Sequence, residues 1–316
     1  MPTTTYFHIS VLVTIVLLVM IIPSGTILTT TTTTTTNNYF GTTNIAYGQT
    51  NQTNSNDANH INIQNIPVKK VHVGDIDIAY KTFGKGEPFI LISGAGMNMD
   101  AWEPSILRNL STNHTVIIFD NRGVGNTTTG IKPFSVKQYV NDTVGLLDAL
   151  KIQKADILGF SQGSFTAQQL TITHPEKVKR LVLYAASCGG KESIPPIPDF
   201  FKSSRDFISN LSKGISTPPP GFTLNTVMQQ NKVGLSWLTT NWSGICDQLQ
   251  SISKPTLVIA GTDDVVPSAN SLVIATKIPG AWVVQIRNAG HDLMYQYPDK
   301  FNKVLQTFLS ITINPG

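Results

Sequence analysis

The chain is 316 residues long, 41% hydrophobic and 13% charged, with a formal net charge of +4. This is enough apolar material for a sizeable globular core. The positive charges form no basic run of the kind that marks a nucleic-acid partner, and no cluster has the spacing of a metal site.

Asp57 is the only Lys, Arg, Asp or Glu in the first 68 residues. Residues 9–22 are nearly all apolar, which suits a secretory signal or an N-terminal membrane anchor over residues 1–28. No Lys or Arg precedes the apolar run, and a small-x-small triplet, Ala46-Tyr47-Gly48, lies well downstream of it, so cleavage and retention both stay open. Residues 29–67, with unbroken threonine from Thr29 to Thr36, read as a flexible Thr/Asn-rich spacer. The sequence therefore predicts an extracellular protein, secreted or tethered to a membrane by its N-terminus. Asn51, Asn109, Asn113, Asn126, Asn141, Asn210 and Asn241 stand in Asn-x-Ser/Thr triplets, acceptors only if the chain meets a glycosylating compartment.

Residues 68–316 read as one α/β domain. Segments 71–73 and 76–80 alternate apolar and polar residues around Gly74-Asp75, predicting a hairpin of two antiparallel edge strands. Short apolar runs follow at 89–92, 116–119, 155–158, 181–184, 257–260 and 282–286; they are too short and continuous for surface helices and fit buried parallel strands. Between them, Val136, Tyr139, Val140, Thr143, Leu146, Leu147 and Leu150 share one helical face behind the N-cap candidate Ser135, and residues 164–174, 268–278 and 298–309 also suit helices. The alternation implies a mostly parallel sheet with helices on both faces. Residues 190–254 break the rhythm with six prolines between Pro195 and Pro220 and several aromatic residues, as a lid inserted between two strands would. Cys188 and Cys246 flank it; a disulfide across its roots and two buried thiols are both compatible with the sequence.

The chemistry is concentrated in Gly159-Phe160-Ser161-Gln162-Gly163, a GxSxG sequence between a predicted strand and helix. A serine there can sit on a strained turn that presents its hydroxyl, with glycines where a side chain would meet the crossing backbones. A nucleophilic serine needs a base and an acid to orient it, in the chain order Ser, Asp/Glu, His. His291 follows the predicted strand 282–286, and Asp263-Asp264 follows the strand 257–260, so both stand at strand ends that converge on one rim of a parallel sheet.

With these residues in view, the chain resembles the α/β-hydrolase superfamily over about 68–313, in its serine-nucleophile, esterase and haloperoxidase-like branch. The resemblance implies a triad of Ser161, His291 and Asp264. Counting from the strand-end Gly261 selects Asp264, whereas counting back from Pro267 selects Asp263; the strand-anchored count is favoured. It also implies an oxyanion hole from the backbone N–H groups of Gln162 and Ala95. Ser93 stands where similar proteins carry a bracing His, and Asp120-Asn121-Arg122-Gly123-Val124-Gly125 is similar to a structural turn of the family. Gly94-Ala95-Gly96 lacks the third glycine of a dinucleotide fingerprint, and no cofactor is implied.

The expected function is hydrolysis of a carboxylic ester or related acyl compound through an acyl-enzyme, with Met97, Trp102, Phe200, Phe201 and Met294 as apolar pocket candidates for a small-molecule acyl substrate. Peptidase, carbon–carbon hydrolase and perhydrolase chemistry use the same triad. A peptidase for free amino termini would want acids in the insertion, where only Glu192, Asp199, Asp206 and Asp247 are available. From another class, a cell-surface protein holding a ligand in a hydrolase pocket with little turnover is the competing expectation.

Overall fold

The computed structural model describes residues 63–310. The expected leader and all but the last five positions of the expected spacer lie outside the described residues. The chain is already placed at a short 3-10 turn, Ile63–Asn65, ahead of the expected domain start at Val68, and the Ile63 carbonyl accepts a hydrogen bond from Lys81 Nζ at 3.4 Å.

In chain order the elements are β1 Lys69–Val73, β2 Ile76–Gly84, β3 Glu87–Ile92, α1 Pro104–Ser111, β4 His114–Phe119, α2 Val136–Ala149, β5 Ala155–Phe160, α3 Gln162–Thr173, β6 Val178–Tyr184, α4 Pro198–Ser212, α5 Leu224–Leu238, β7 Thr256–Gly261, α6 Ala269–Lys277, β8 Trp282–Ile286, α7 Leu293–Gln296 and α8 Pro298–Leu309. The eight strands form one sheet in the order β1-β2-β4-β3-β5-β6-β7-β8. β1 and β2 pair antiparallel through the Gly74-Asp75 turn, β2 runs antiparallel to β4, and every other pairing is parallel.

The continuous apolar runs become strands because both faces of the sheet are covered: every residue of β5 and β7 is buried. Successive side chains point to opposite faces. Phe89 and Leu91 thus join the cluster of Ile106, Leu110, Phe301 and Leu305 from α1 and α8, while Ile90 and Ile92 join Leu146, Leu147, Phe165 and Leu170 from α2 and α3. Each such side chain contributes about 1.5–3 kcal/mol by leaving water. Ser135 Oγ caps α2 by accepting from Gln138 N at 3.1 Å.

Three expectations are corrected. Only β1 is an edge strand of the hairpin, since β2 is paired on both sides. β8 is the opposite edge and is not buried: Trp282 is 46% and Val283 37% exposed, because an edge strand has a single neighbour and less helix cover. The helix after the serine also starts two residues earlier than its pattern suggests, at Gln162.

Residues 185–255 leave the sheet between β6 and β7 and carry α4 and α5. Cys188 and Cys246 form a disulfide that closes the base of this insertion, with their Cα atoms 5.0 Å apart. Trp237 stacks on Phe165 of α3 at 5.0 Å and donates its indole N–H to Ser187 O at 2.9 Å. Farther out, Thr226 Oγ1 donates to Gly123 O at 2.9 Å, and Gly125 N donates to Gly221 O at 2.7 Å. The insertion therefore rests on loops at the carboxyl ends of the strands. Among the described residues, no helix is long and apolar enough to cross a membrane.

Candidate active site

β5 ends against Ser161, whose backbone has φ 52° and ψ −119°. This is a conformation that residues other than glycine rarely adopt, and it persists only where surrounding contacts enforce it. Ser161 N donates to Tyr184 O at 2.9 Å, and Ser164 donates to Ser161 O through both its N at 2.8 Å and its Oγ at 2.6 Å. The flanking glycines are steric necessities. A Cβ at Gly159 would lie 2.4 Å from Gly163 O, and one at Gly163 would lie 2.0 Å from Ile92 O. Strand, turn and helix can cross this closely only without those side chains.

The loops after β7 and β8 bring the other two groups to the serine. His291 Nε2 lies 3.0 Å from Ser161 Oγ, and His291 Nδ1 lies 2.7 Å from Asp264 Oδ1. A carboxylate only accepts, so Nδ1 carries the proton and Nε2 is left to accept from the serine hydroxyl. Asp264 is fully buried at its side chain, whereas the imidazole is 23% exposed. Asp264 Oδ1 also accepts from Val266 N at 2.8 Å, which fixes the carboxylate before any substrate arrives. The adjacent Asp263 is turned the other way: its carboxylate is exposed and accepts from Thr262 Oγ1 at 2.9 Å. Burial disfavours the charged imidazole, but the charge of Asp264 and its hydrogen bond outweigh it, so the pKa of His291 is raised above the ordinary histidine value.

Tyr184, at the end of β6, holds the histidine loop. Its hydroxyl donates to His291 O and accepts from Met294 N at 3.3 Å. Its ring stacks on Phe160 at 4.5 Å, and Phe160 in turn lies 5.0 Å from the His291 ring. Burial raises the tyrosine pKa well above its usual value, so the hydroxyl keeps its proton as a donor.

Gln162 is the first residue of α3, where backbone N–H groups have no acceptor within the helix. Ala95 is exposed on the loop after β3. The next amide, Gly96 N, is engaged by Gln230 Oε1 at 3.0 Å. This loop has no bracing histidine; instead Asn121 Nδ2 donates to Ser93 O at 3.1 Å and to Ser93 Oγ at 3.2 Å. Asp120 accepts from Met99 N at 2.8 Å and Asn126 N at 2.9 Å, while the buried Arg122 pairs with Asp75 and Asp142 at 2.9 and 2.8 Å. Both are tied into loop-to-loop bonds.

Of the apolar candidates, Trp102 and Met294 are 2% and 1% exposed and belong to the core on the α1/α8 face, with Met97 beside them. Phe200 and Phe201 touch each other edge to face within α4. Three of the four acids of the insertion are ion-paired on the surface, Glu192 and Asp247 with Lys277 at 2.7 and 2.9 Å and Asp206 with Lys202 at 3.7 Å. Among the described residues, no group of three or more His, Cys, Asp or Glu could hold a metal ion. Sequence reasoning missed Gln230, Tyr184 and Asn121. The first two carry no motif, and Asn121 occupies the unspecified position of one.

The sheet order, the strained serine at the end of β5 and the crossing of β3, β5 and α3 are those of the alpha/beta hydrolase fold. A family model for that fold matches residues 87–213, from β3 to the end of α4. BpoC of Mycobacterium tuberculosis, which carries the name of a non-heme bromoperoxidase, is 28% identical over 264 residues, covering 74% of this chain and 98% of the relative. Poly(3-hydroxyalkanoate) depolymerase of Ectopseudomonas oleovorans is 29% identical over 247 residues, covering 70% of this chain and 84% of the relative. In structure, an alpha/beta hydrolase fold protein from Chitinophaga pinensis matches with a TM-score of 0.68 at 24% identity, covering 78% of this chain and 98% of that one.

Proposed function

We propose that the protein is a serine hydrolase that cleaves a carboxylic ester or related acyl compound with an apolar acyl group. The observation that carries this reading is the unbroken hydrogen-bonded line from Ser161 Oγ through the His291 ring to Asp264. His291 Nε2 takes the hydroxyl proton as Ser161 Oγ forms a bond to the acyl carbon. The developing oxyanion is met by the backbone N–H groups of Gln162 and Ala95. The C–O bond to the alcohol breaks, and the alcohol leaves with the proton from Nε2. Water then repeats the sequence on the acyl-enzyme, releasing the acid and restoring Ser161. The buried carboxylate of Asp264 holds the imidazole and stabilises its charged form.

A relative named for polyester scission favours an ester among the acyl compounds. The ion-paired acids of the insertion disfavour recognition of a free amino terminus. The disulfide at the base of the insertion, together with the apolar run at 9–22, supports an exported protein, secreted or held by its N-terminus.

The test is hydrolysis of p-nitrophenyl esters of graded acyl length, with fluorophosphonate labelling in parallel. Ser161→Ala is expected to lower kcat by about 10⁴-fold or more and to abolish labelling, with Tm close to wild type. Turnover retained in that variant would overturn the assignment.

A further inference from the structure

Gln230 lies on α5 of the insertion, is 2% exposed, and touches both segments that carry the oxyanion donors of the proposed hydrolase. Its side-chain Oε1 accepts from Gly96 N at 3.0 Å, next to Ala95; its backbone O accepts from Gln162 Nε2 at 2.9 Å, from the residue that follows Ser161. The Gly96 contact fixes the amide orientation, because a backbone N–H needs an oxygen opposite it. The other end of the amide, Nε2, is then buried without a hydrogen-bond partner. An unpaired buried donor is unfavourable, so the side chain is held here against a local penalty by what Oε1 does for Gly96. Engaging Gly96 N–H also leaves Ala95 N–H as the adjoining amide free to face a substrate oxygen.

We propose that Gln230 is a positioning residue for the oxyanion hole, through which the inserted helix α5 aims the Ala95 amide and so sets the rate of acyl transfer. The inference rests on the serine hydrolase reading above. It assigns the insertion a part in the chemical step, distinct from covering the pocket. The backbone acceptor for Gln162 survives any side-chain replacement, so substitution at 230 isolates the Gly96 tether.

The experiment compares Gln230→Met, which keeps the length and loses the acceptor, with Gln230→Glu, which restores an acceptor for Gly96 N–H. Both are assayed on a p-nitrophenyl ester and on the matching thionoester, whose developing sulfur anion is a poorer hydrogen-bond acceptor. Gln230→Met is expected to lower kcat about 10- to 100-fold, to leave KM within about twofold, and to reduce the oxygen-over-sulfur rate ratio. Gln230→Glu should recover part of that ratio. Thr226→Val, which removes another tie of α5 without touching the loop after β3, should leave the ratio unchanged. Amide exchange at Gly96 in the wild type supplies a readout that needs no variant: the N–H should be protected although the residue is exposed. Wild-type kcat in a folded Gln230→Met, an equal loss on both substrates, or an unprotected Gly96 amide overturns the proposal. A wild-type chain with neither turnover nor Ser161-dependent labelling overturns the hydrolase reading itself.

Discussion

On the proposed serine hydrolase reading, His291 takes a proton from Ser161 only while its Nε2 is unprotonated, so the environment of one imidazole sets the acid side of the pH dependence. Burial alone would lower its pKa, but the Asp264 carboxylate raises it to above the ordinary value. The acidic limb of kcat/KM is therefore expected above the pH at which a free imidazole titrates. The same shift favours the folded state fully below the unfolded histidine pKa, and that contribution fades as pH rises through the folded value. Asp264→Asn removes both the charge and the carboxylate acceptor at Nδ1; it should move the limb to lower pH and reduce kcat by about 10⁴-fold. A pH–rate profile measures both effects, and an unmoved limb would count against Asp264 as the partner. At this scale much was legible in the sequence. The GxSxG sequence, the post-strand carboxylate and the post-strand histidine are chemically distinctive residue types at positions a parallel sheet makes meaningful. Gln230 and Tyr184 were not legible, because an amide or a phenol becomes informative only when its partner is known, and those partners are 134 and 107 residues away in the chain.

Strands and helices were read from periodicity, and the errors follow from what periodicity omits. The run at 282–286 looks as apolar as its neighbours, yet β8 pairs only with β7 and exposes Val283. Edge position is a property of the assembled sheet, absent from the strand itself. The insertion shows the converse: its prolines and aromatic residues announced a segment inserted between two strands, but the sequence left its two cysteines undecided between pairing and burial. The structure joins Cys188 to Cys246 across a sequence separation of 58. Closing a loop of that length stabilises the fold by up to about 4 kcal/mol in the chain-entropy account. Cys188→Ser is therefore expected to lower unfolding stability by about 2–4 kcal/mol, measured by urea denaturation with and without reductant. An unchanged midpoint, or a wild type insensitive to reductant, would show that the bridge does not form in solution.

Across the whole molecule, a folded domain follows a polar segment and an apolar run. On the exported reading, the chain expressed with its own N-terminus in a secreting host should be recovered outside the cytoplasm. Intact mass should show either loss of the apolar run or its retention in a membrane fraction, with Cys188 and Cys246 resistant to alkylation until reduced. Recovery as a full-length cytosolic protein with two alkylatable thiols would defeat that reading. The sequence by itself determined the layered α/β architecture and the residue types able to attack an acyl group. Apolar periodicity reports how each segment meets a core, and short motifs report local backbone geometry. Tertiary structure alone decided that Asp264 rather than Asp263 faces His291, that Asn121 braces the loop after β3, and that α5 reaches Gly96 and Gln162. Each of these depends on where two distant loops come to rest, and a hydrogen bond within 3.1 Å is satisfied or lost by displacements far smaller than any sequence pattern encodes.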